Sequence, residues 1–458
     1  MISLSEPIVA LITPAGSSAI AVLRLSGKNS VGIVAQHFRP RKKLLKAPTH
    51  RLIHGIFHDS AGLPIDEVLV SVFRAPHSYT GEESVEISCH GNPHLATRIL
   101  KALLLNARHA KAGEFTLRAL MNGKLDLARA EAVNDLIRAG SIQAETAALM
   151  QTQGILSRHL KGILDEISEA RMRSELAIDF SDQDLPQIDL IDLQTRIDAL
   201  CAKTRELCAE GNQGRYIRDG IRICLAGAPN SGKSSLFNAF LKHNRAIVTP
   251  HPGTTRDYLE ESVSLRGYTL VLYDTAGLRE STDEIERHGI DRSLELMQEA
   301  DLVLYLIPVD AVPVNESTRF DLPDLNAEIA AKCLFVLSKT DLLEAKELEA
   351  MLTTAAFTPA SSVDVHGLDA LADAIIARFD LPRDLINRPL VTNTRHLAAL
   401  QRCQVSLEQA RQALSEDAGF EFVAFDLISA SSAIEDILGV ITPDDMLERI
   451  FGNFCIGK

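Results

Sequence analysis

The chain has 458 residues, a formal net charge of −14 and 46% hydrophobic residues, a balance that excludes a disordered or collagen-like chain and predicts two to four folded domains. No apolar run reaches the length of a membrane-spanning helix, and no secretory signal is predicted at the first residues. The seven cysteines are scattered without a C-x-x-C pair, which disfavours a disulfide framework or structural zinc and predicts a cytoplasmic protein, while the acidic charge disfavours broad non-specific binding to nucleic acids.

Residues 1–118 alternate short strands with helices. β-like apolar runs at 8–12 and 19–25 are separated by turn-forming residues. Further strands are predicted at 68–73 and 84–88, and a helix at 93–106. This part of the chain therefore predicts a compact α+β domain.

The rest of the chain shows two patterns of apolar residues. Helical spacing of apolar residues dominates from 118 to 210, with an interruption at 182–186, and returns at 394–438. In between, β runs at 221–226, 269–273, 302–309 and 334–337 alternate with helices, which predicts a doubly wound parallel sheet. The sequence thus predicts a multidomain protein: an N-terminal α+β domain at 1–118, an all-helical domain in two halves at 119–217 and 381–458, and an α/β P-loop domain inserted at 218–380.

A phosphate-binding motif directly follows the first strand of the inserted domain. Residues 227–234 read G-A-P-N-S-G-K-S and match G-x-x-x-x-G-K-[ST], a loop whose backbone N–H groups surround phosphate oxygens at the start of a helix. Lys233 is expected to reach the β- and γ-phosphates, and Ser234 to ligate Mg²⁺. A chance match in an ordinary strand–turn–helix is the alternative, which the flanking elements disfavour. The predicted nucleotide contacts in this loop are Asn230, Ser231, Gly232, Lys233, Ser234 and Ser235.

Two loops farther along the chain predict the rest of the Mg²⁺ site. Asp274-Thr275-Ala276-Gly277 ends an apolar strand, where a carboxylate on the Mg²⁺ side is expected. The preceding G-T-T-R-D stretch at 253–257 is typical of a switch loop, and Thr255 is the simplest candidate to complete the metal shell.

A third loop predicts guanine selection. Ser338-Lys339-Thr340-Asp341 resembles the N-K-x-D motif, with Ser in place of Asn. The Asp341 carboxylate can accept hydrogen bonds from guanine N1–H and its 2-amino group, which adenine does not offer. The serine at 338, and S-S-V at 361–363 where S-A-K or S-A-R is expected, predict weaker base binding, with a decayed pocket as the alternative.

The position that usually orients the attacking water holds Leu278. In Ras-like GTPases a glutamine stands there, and leucine cannot hydrogen-bond water. If the domain hydrolyses GTP, another group must position the water, and residues 279–287 contain candidates. A charge run of this kind is also typical of a solvated loop.

The order of these motifs, followed by the terminal F-C-I-G-K at 454–458, resembles the MnmE (TrmE) family of tRNA-modification GTPases. The resemblance spans the whole chain and includes the stretches at 13–16, 23–27, 78–82, 113–116 and 124–137. The P-loop alone is generic, whereas F-C-I-G-K joined to an inserted GTPase domain is highly specific.

The resemblance implies a three-part molecule. An N-terminal domain binds folate and forms a homodimer, a helical domain sends its C-terminal tail to the folate site, and the inserted domain hydrolyses GTP. It further implies that the protein works with an FAD-dependent MnmG (GidA)-type partner. Together they add an aminomethyl-type group to C5 of the wobble uridine of certain tRNAs, with a tetrahydrofolate derivative supplying the one-carbon unit.

The resemblance also implies residue roles. A K⁺ ion near the phosphates is held by Asn230 and by the backbone of Thr249, His251 and Thr254, while Glu286 positions the attacking water. The implied folate contacts are Arg24, Glu86, Lys124 and Lys458, and the further GTP contacts are Thr249, Thr254, Thr255, Asp274, Thr275, Ala276, Gly277, Ser338, Lys339 and Asp341. Two prolines beside His251 and the serines at 17–18 depart from the family pattern.

Several of these residues admit a second interpretation. Arg24 at a strand end and Lys124 in a loop before a helix are also typical surface charges. Cys455 is a candidate nucleophile toward the uridine or the one-carbon unit, but a free cysteine is more commonly a small apolar residue. The basic run at 39–43 could contact RNA phosphates, although a solvated loop is the expected interpretation.

Two other functions compete with GTP-dependent tRNA modification. A GTP-controlled RNA-binding switch of the Era ribosome-assembly type shares the GTPase motifs but needs a basic RNA-binding module, which helical flanks and an acidic chain disfavour. A folate-dependent transferase with a decayed GTPase would not bind GTP.

Overall fold

The computed structural model describes residues 5–179, 190–244, 260–274, 294–312, 325–354, 357–363, 365–382, 384–440 and 443–458. The chain divides into two compact units, one built from 1–134, 151–188 and 413–458, the other from 135–150 and 189–412. Within the described ranges, no helix is long and apolar enough to cross a membrane.

The described chain contains both strands and helices. The strands are β1 Ile8–Leu11, β2 Ile20–Ser26, β3 Phe38–Arg39, β4 Arg51–His58, β5 Pro64–Phe73, β6 Ser84–His90, β7 Arg108–His109, β8 Ile221–Gly227, β9 Glu260–Leu265, β10 Tyr268–Asp274, β11 Leu302–Pro308, β12 Cys333–Ser338 and β13 Thr358–Pro359. The helices are α1 Ser30–His37, α2 Arg41–Leu45, α3 Pro93–Leu103, α4 Glu114–Met121, α5 Leu127–Arg138, α6 Ile142–Thr152, α7 Ile155–Asp179, α8 Leu190–Asp219, α9 Lys233–Asn244, α10 Ala327–Lys332, α11 Ala345–Thr354, α12 Val365–Arg378, α13 Thr394–Ser415, α14 Phe420–Leu438 and α15 Asp444–Gly452. Residues 294–299 are also helical.

The first unit contains a sheet in the order β3-β4-β5-β6-β2-β1-β7. All neighbours are antiparallel except β1 and β7, which run parallel. Inward residues of the strands, such as Leu23, Val70 and Ile87, pack with residues of α1 and α3 in one apolar core. The predicted α+β fold and its strands are confirmed, and β4 is an additional strand that the sequence analysis does not predict.

Two details of this unit correct the expectations from sequence. Arg24 lies in the middle of β2, between neighbours on both sides, and not at a strand end. The basic run at 39–43 is not a loop, because Arg39 ends β3 and residues 41–45 form α2. Leu44 of α2 is fully buried, so a single apolar side chain holds this short helix against the core.

A buried ion-pair cluster joins three segments of the first unit. The Arg118 guanidinium on α4 donates to Glu82 at 3.1 Å, to Glu114 at 3.0 Å and to the carbonyl of Glu6 at 2.8 Å. Arg108 donates to Glu114 at 2.7 Å from the other side. Since Glu114 and Arg118 are only 0% and 1% exposed, each charge depends on the others for its solvation.

The same unit contains helices from distant parts of the sequence. α14 packs along α7, and Phe451 of α15 packs with Phe454 and with residues of α4 and α5. The C-terminal segment is therefore part of the core of this unit.

The second unit contains a sheet in the order β13-β12-β11-β8-β10-β9. Its strands are parallel except β9, which pairs antiparallel with β10. The strands are short, nearly continuous apolar runs, as expected where both faces are covered, and Leu225, Leu304 and Leu371 lie in their shared core. The predicted α/β sheet is confirmed, while the three-part division at residues 118, 217 and 380 stays a prediction.

Replacement of Glu114 by Gln tests the buried cluster. Burial opposes ionisation, but hydrogen bonds from Arg108, the Lys111 N–H and Arg118 outweigh it, so the pKa of Glu114 lies below its ordinary value of 4.5. The stabilisation is therefore present above about pH 4.5 and is lost as the pH falls through the lower native value. At pH 7 we expect Glu114→Gln to destabilise the first unit by about 3–5 kcal/mol, because two arginines lose their shared partner. Hydrogen exchange of β1, β2 and α4 amides in the full chain measures this loss.

The matched control is Glu67→Gln. Glu67 pairs with His54 at 2.6 Å, but both side chains are exposed, so this change should cost less than about 1 kcal/mol. Equal exchange protection in wild type and Glu114→Gln would show that the buried cluster does not stabilise the fold.

Candidate functional site

The phosphate-binding loop joins β8 to α9. Its curl requires left-handed backbone at Asn230, with φ 63°, and at Gly227 and Gly232, with φ 135° and 96°. A Cβ on Gly227 would lie 2.4 Å from the carbonyl oxygen of Leu306 in β11, so only glycine fits beside the neighbouring strand. The sequence motif therefore predicts the loop correctly because its glycines satisfy backbone constraints.

The polar side chains of this loop have different surroundings. The Lys233 ammonium donates to the carbonyls of Gly227 and Ala228, both at 2.8 Å. The Ser231 hydroxyl is buried, and no described residue hydrogen-bonds it. Ser234 and Ser235, at the start of α9, are exposed. An orphaned hydroxyl, a lysine within the loop and a helix N-terminus fit a bound phosphate chain.

Ser338 connects the end of β12 to the phosphate-binding loop. Its hydroxyl donates to the backbone carbonyl of Ser231 at 2.6 Å, and the pair is buried. From the motif, Ser338 is expected only to weaken base binding relative to asparagine, and this contact is not predicted. The signal was available, since a hydroxyl at the end of a central strand can reach a neighbouring loop.

Asp341 is held by the second serine-containing loop. The Ser361 hydroxyl donates to its carboxylate at 2.7 Å and accepts from the Val363 N–H at 3.1 Å. Lys339, with φ 60°, lies 3.7 Å from the carboxylate of Asp310. The loops at 338–341 and 361–363 are thus brought together as the guanine-site prediction requires, with one carboxylate oriented by a serine.

The remaining predicted nucleotide and metal residues are not described. Thr249, His251, Thr254, Thr255, Thr275, Ala276, Gly277 and Glu286, and the side chain of Asp274, lie outside the described residues. Asp274 is the last residue of β10, and its backbone pairs in parallel register with Leu225 of β8. Asp274 therefore ends its strand beside the strand that leads into the phosphate-binding loop.

A second polar site lies on the first unit. Arg24 of β2 and Glu86 of β6 are direct cross-strand partners, and the guanidinium donates to the carboxylate at 2.8 and 3.0 Å. The rings of Tyr79 and Phe115 lie 5.2 and 5.5 Å from the guanidinium carbon, within cation–π distance. The Nη1 atom of Arg24 is buried, and no described residue hydrogen-bonds it.

The C-terminal tail reaches this site. Residues Ala112 and Ile456 form a β-bridge, and the Phe115 N–H donates to the carbonyl of Lys458 at 3.2 Å. A Cβ on Gly457, whose φ is +103°, would lie 3.0 Å from the Cα of Ile12, so the tail passes directly over β1. Since the Phe115 ring lies 5.5 Å from the Arg24 guanidinium carbon, this backbone contact brings the end of the tail to the site. Burial, and then the charge of Arg24, lower the pKa of the Lys458 ammonium.

Lys124 and Cys455 take different positions. The Lys124 ammonium donates to the carbonyl of Pro76 at 3.2 Å, and its stem contacts the loop at Gly81. Lys124 therefore borders the loop that carries Tyr79, and among the described residues no hydrogen bond or ion pair joins it to Arg24 or Glu86. The Cys455 thiol is exposed, while its carbonyl accepts from the N–H of Gly113 at 3.5 Å.

Sequence reasoning missed the groups that surround the Arg24–Glu86 pair. Tyr79 hydrogen-bonds Thr116 at 2.8 Å, and burial raises the pKa of the Tyr79 phenol. Both residues lie in the stretches at 78–82 and 113–116 that carry the family resemblance. Those stretches could have indicated the site, since each contains an aromatic residue among polar ones. In the fold these two distant segments meet around one arginine.

Comparison with known proteins covers both units. Two family models match: the GTP-binding protein TrmE N-terminus over residues 7–124 and the MnmE helical domain over residues 127–455. The chain is 37% identical over 457 residues to the tRNA modification GTPase MnmE of Aquifex aeolicus (strain VF5), covering 99% of this chain and 100% of the relative. It is 39% identical over 470 residues to that of Moorella thermoacetica, with the same coverage. The chain belongs to the MnmE family of tRNA modification GTPases.

A solved structure is similar to part of the chain. The G domain of the T. maritima FeoB iron transporter is 28% identical and covers 35% of this chain and 98% of its own, with a TM-score of 0.23. Membership of the MnmE family makes this chain a GTPase of tRNA modification, with GTP and tRNA as its partners.

In this MnmE-family chain, Ser338→Ala should weaken GTP binding. The change leaves the buried Ser231 carbonyl without its 2.6 Å hydrogen bond, a loss of about 1–3 kcal/mol, or about 5-fold to 150-fold in Kd. Titration with a fluorescent GTP analogue measures it. The preference for guanine should not change, since Asp341 is oriented by Ser361 while Ser338 binds the Ser231 carbonyl.

Asp341→Asn provides the contrasting variant. An amide can donate to the 2-oxo group of xanthine, so this variant should accept xanthine nucleotides while keeping the loop contact of Ser338. Unchanged GTP affinity in Ser338→Ala would refute the role of this hydroxyl, and tight ATP binding by wild type would refute the role of Asp341.

Proposed function

We propose that this chain is a K⁺-stimulated GTPase of the cytoplasm that modifies tRNA with an FAD-dependent MnmG (GidA)-type partner. The two proteins add an aminomethyl-type group to C5 of the wobble uridine of certain tRNAs. A tetrahydrofolate derivative, bound to the first unit, supplies the one-carbon unit. The observation that carries the folate part is the buried, unpartnered Nη1 atom of Arg24 beside Glu86 and Lys458.

Besides Lys233, the GTPase part needs a further positive charge at the γ-phosphate, which the described residues do not place there. Leu278 cannot orient water, and charge on the transferring phosphoryl group requires a counter-charge. Asn230 is exposed within the phosphate-binding loop, in left-handed backbone that turns the loop. We assign its side-chain oxygen to K⁺, together with backbone carbonyls of Thr249, His251 and Thr254, and we assign Glu286 to the attacking water.

The Mg²⁺ assignment follows the loop geometry. The exposed Ser234 hydroxyl stands at the N-terminus of α9 beside Lys233, where a P-loop serine holds the ion. Thr255 and Asp274 are proposed as the other protein groups of the Mg²⁺ site. The intact curl of the loop and the Ser338 contact argue against a decayed GTPase.

Asn230→Ala should remove K⁺ stimulation of GTP hydrolysis while GTP affinity persists through the loop backbone and Lys233. An arginine finger in this role is worth about 10³–10⁵ in rate, so we expect the variant to lose at least about ten-fold of the stimulated rate. Single-turnover hydrolysis in KCl and in NaCl at equal ionic strength measures the effect. Glu286→Ala should lose hydrolysis even in KCl.

Na⁺ is the discriminating ion in this experiment, because its smaller radius fits a K⁺ shell poorly. A wild-type rate that is the same in KCl and NaCl would remove the ion assignment. Arg256 or Arg279 would then be the source of the missing charge.

The folate assignment fits the residues of the first unit. A folate carries a flat ring system and anionic carboxylates. The Tyr79 and Phe115 rings, which lie beside Arg24, offer apolar surface for the ring system. Glu86 can accept hydrogen bonds from its amino and imino groups. Lys458 offers a cation for a carboxylate. Lys124, in the loop at the edge of the site, is proposed as an outer contact. The exposed Cys455 is retained as a candidate nucleophile toward the uridine or the one-carbon unit.

The same face of the sheet supports the homodimer proposal. Cross-strand register places Arg24, Glu86, Ser71 and Leu52 in one row across β2, β6, β5 and β4. Directly paired residues share a face, so this row continues from the polar site into exposed apolar side chains. Ile20 and Leu52 are 59% and 56% exposed, and together they offer an apolar surface suitable for a second copy.

Lys458→Met should weaken folate binding and leave GTP hydrolysis nearly unchanged. Loss of a charge-assisted contact costs about 1.5–3 kcal/mol, or roughly 10-fold or more in Kd. Because burial and Arg24 lower the pKa of Lys458, its ammonium deprotonates at a lower pH than that of an ordinary lysine. Affinity for a folate carboxylate should therefore fall as the pH rises through this lowered value. Calorimetric titration with a tetrahydrofolate derivative across a pH series measures both effects.

Lys458→Arg is the matched control, since arginine keeps its charge and should move the alkaline loss of affinity upward. Removal of residues 455–458 should abolish folate binding altogether. Folate affinity equal to wild type in the truncated chain would exclude the tail from the site.

A further inference from the structure

Charge is strongly segregated in the first unit. Between Glu6 and Asp59 the sequence contains eight Lys and Arg residues and no Asp or Glu. The chain as a whole carries a net charge of −14. A basic segment of this length in an acidic protein is not explained by the GTP site or by the Arg24–Glu86 site.

The fold gathers six of these cations around α2. We call this surface the basic strip; its residues are Arg39, Arg41, Lys42, Lys43, Lys46 and Arg51. All six are exposed. Arg39 ends β3, the edge strand of the sheet, and Arg51 begins β4, its neighbour. Leu44 is fully buried beneath the helix, so the charges of α2 are left toward solvent.

Arg74 fixes the end of α2. Its guanidinium donates to the carbonyl of Leu45 at 3.0 Å and to that of Ala47 at 3.3 Å. The same guanidinium binds Glu83 at 2.6 Å, the residue immediately before β6, which carries Glu86. The basic strip is therefore held on the same framework as the Arg24–Glu86 site.

The carboxylates of neighbouring elements are already occupied. Glu83 pairs with Arg74, Glu67 of β5 pairs with His54, and Asp59 lies 3.6 Å from Arg98. Across the described part of the chain, no carboxylate pairs with any of the six strip cations. The strip thus presents uncompensated positive charge.

We propose that the basic strip binds the phosphate backbone of the tRNA substrate. This inference rests on the tRNA-modifying role of the family. Arg and Lys on a rigid surface position nucleic acids through phosphates without reading bases, and the shared framework would orient the RNA relative to the Arg24–Glu86 site. An anionic membrane is the less fitting partner. Leu44 is buried and Leu45 is the one exposed apolar side chain of this five-residue helix, which therefore lacks the apolar face of an interfacial helix.

The test is the triple variant Lys42→Gln, Lys43→Gln, Lys46→Gln in the full chain. Its control is Lys101→Gln, Lys242→Gln, Lys346→Gln, which removes three exposed lysines elsewhere for the same change in net charge. Affinity for an unmodified tRNA transcript with a wobble uridine is measured by fluorescence anisotropy over a KCl series. Each lost phosphate contact lowers the slope of log K against log[salt] by about 0.7–0.9. We expect the slope to fall by about 2–3 and affinity at about 0.1 M salt to drop at least ten-fold.

The control variant should bind tRNA like wild type, and both variants should hydrolyse GTP at the wild-type basal rate. Equal affinity and slope in wild type and the strip variant would overturn the proposal while leaving the GTPase and folate proposals standing. Equal losses in both triple variants would overturn it in favour of general electrostatics, as would absence of tRNA binding by wild type. Loss of binding only to phosphatidylserine vesicles, with tRNA affinity intact, would assign the strip to a membrane instead.

Discussion

The arrangement of the first unit depends on one buried guanidinium. Arg118 is 1% exposed, and a charge so placed is tolerated only when its donors are matched by acceptors in good geometry. Its acceptors come from α4, from the loop before β6 and from the chain before β1. Glu82 in turn accepts from Ser26 of β2 at 2.9 Å. Arg118 thus joins three segments directly, and Glu82 links them to β2. None of the three can shift without leaving a buried charge unpaired.

This cluster lies behind the polar site. The loop that ends at Glu82 carries Tyr79, and the helix that carries Arg118 also carries Phe115, so both rings beside Arg24 belong to segments that Arg118 holds. The Tyr79–Thr116 hydrogen bond joins the same loop and helix a second time. A site for a flat ligand needs walls that do not relax, and buried ion pairs supply that rigidity even where they add little net stability.

In the GTPase unit, serine side chains fix the positions of the loops around the nucleotide site. A serine hydroxyl reaches less far than an asparagine amide, so the Ser338 contact requires the strand end and the phosphate-binding loop to lie close together. A Cβ on Gly232 would stand 3.8 Å from the Ser338 hydroxyl, which shows this proximity. The second serine, Ser361, compensates in the same way by fixing the Asp341 carboxylate. Departures from a motif therefore change which contacts hold the loops, and do not by themselves remove the site.

Sequence reasoning succeeded where a local pattern has one physical cause. The apolar runs of β8, β10, β11 and β12 and the glycines of the phosphate-binding loop are such patterns. It failed at β4, because His54, Gly55 and His58 interrupt the apolar alternation. It also failed at β3 and α2, because tertiary contacts stabilise these short elements and their own sequences have little intrinsic preference for strand or helix. No spacing could pair Arg24 with Glu86, which are 62 residues apart; only the family resemblance brought them together. The cross-strand register that makes them neighbours is a property of the folded sheet.

An acidic protein that handles two polyanions must create positive potential locally. At the GTP site the potential comes from Lys233 and from the N-terminus of α9, and needs few cationic side chains. A long RNA backbone cannot be held that way, since helix-end fields fall off within a turn. The RNA backbone must instead be bound by cationic side chains that are spaced along one surface and have no carboxylate partners. Salt screens exposed charges beyond about 8–10 Å, so the acidic remainder of the chain does not cancel such a surface. The absence of any acidic residue between Glu6 and Asp59 therefore has a physical consequence that the net charge of the whole chain conceals.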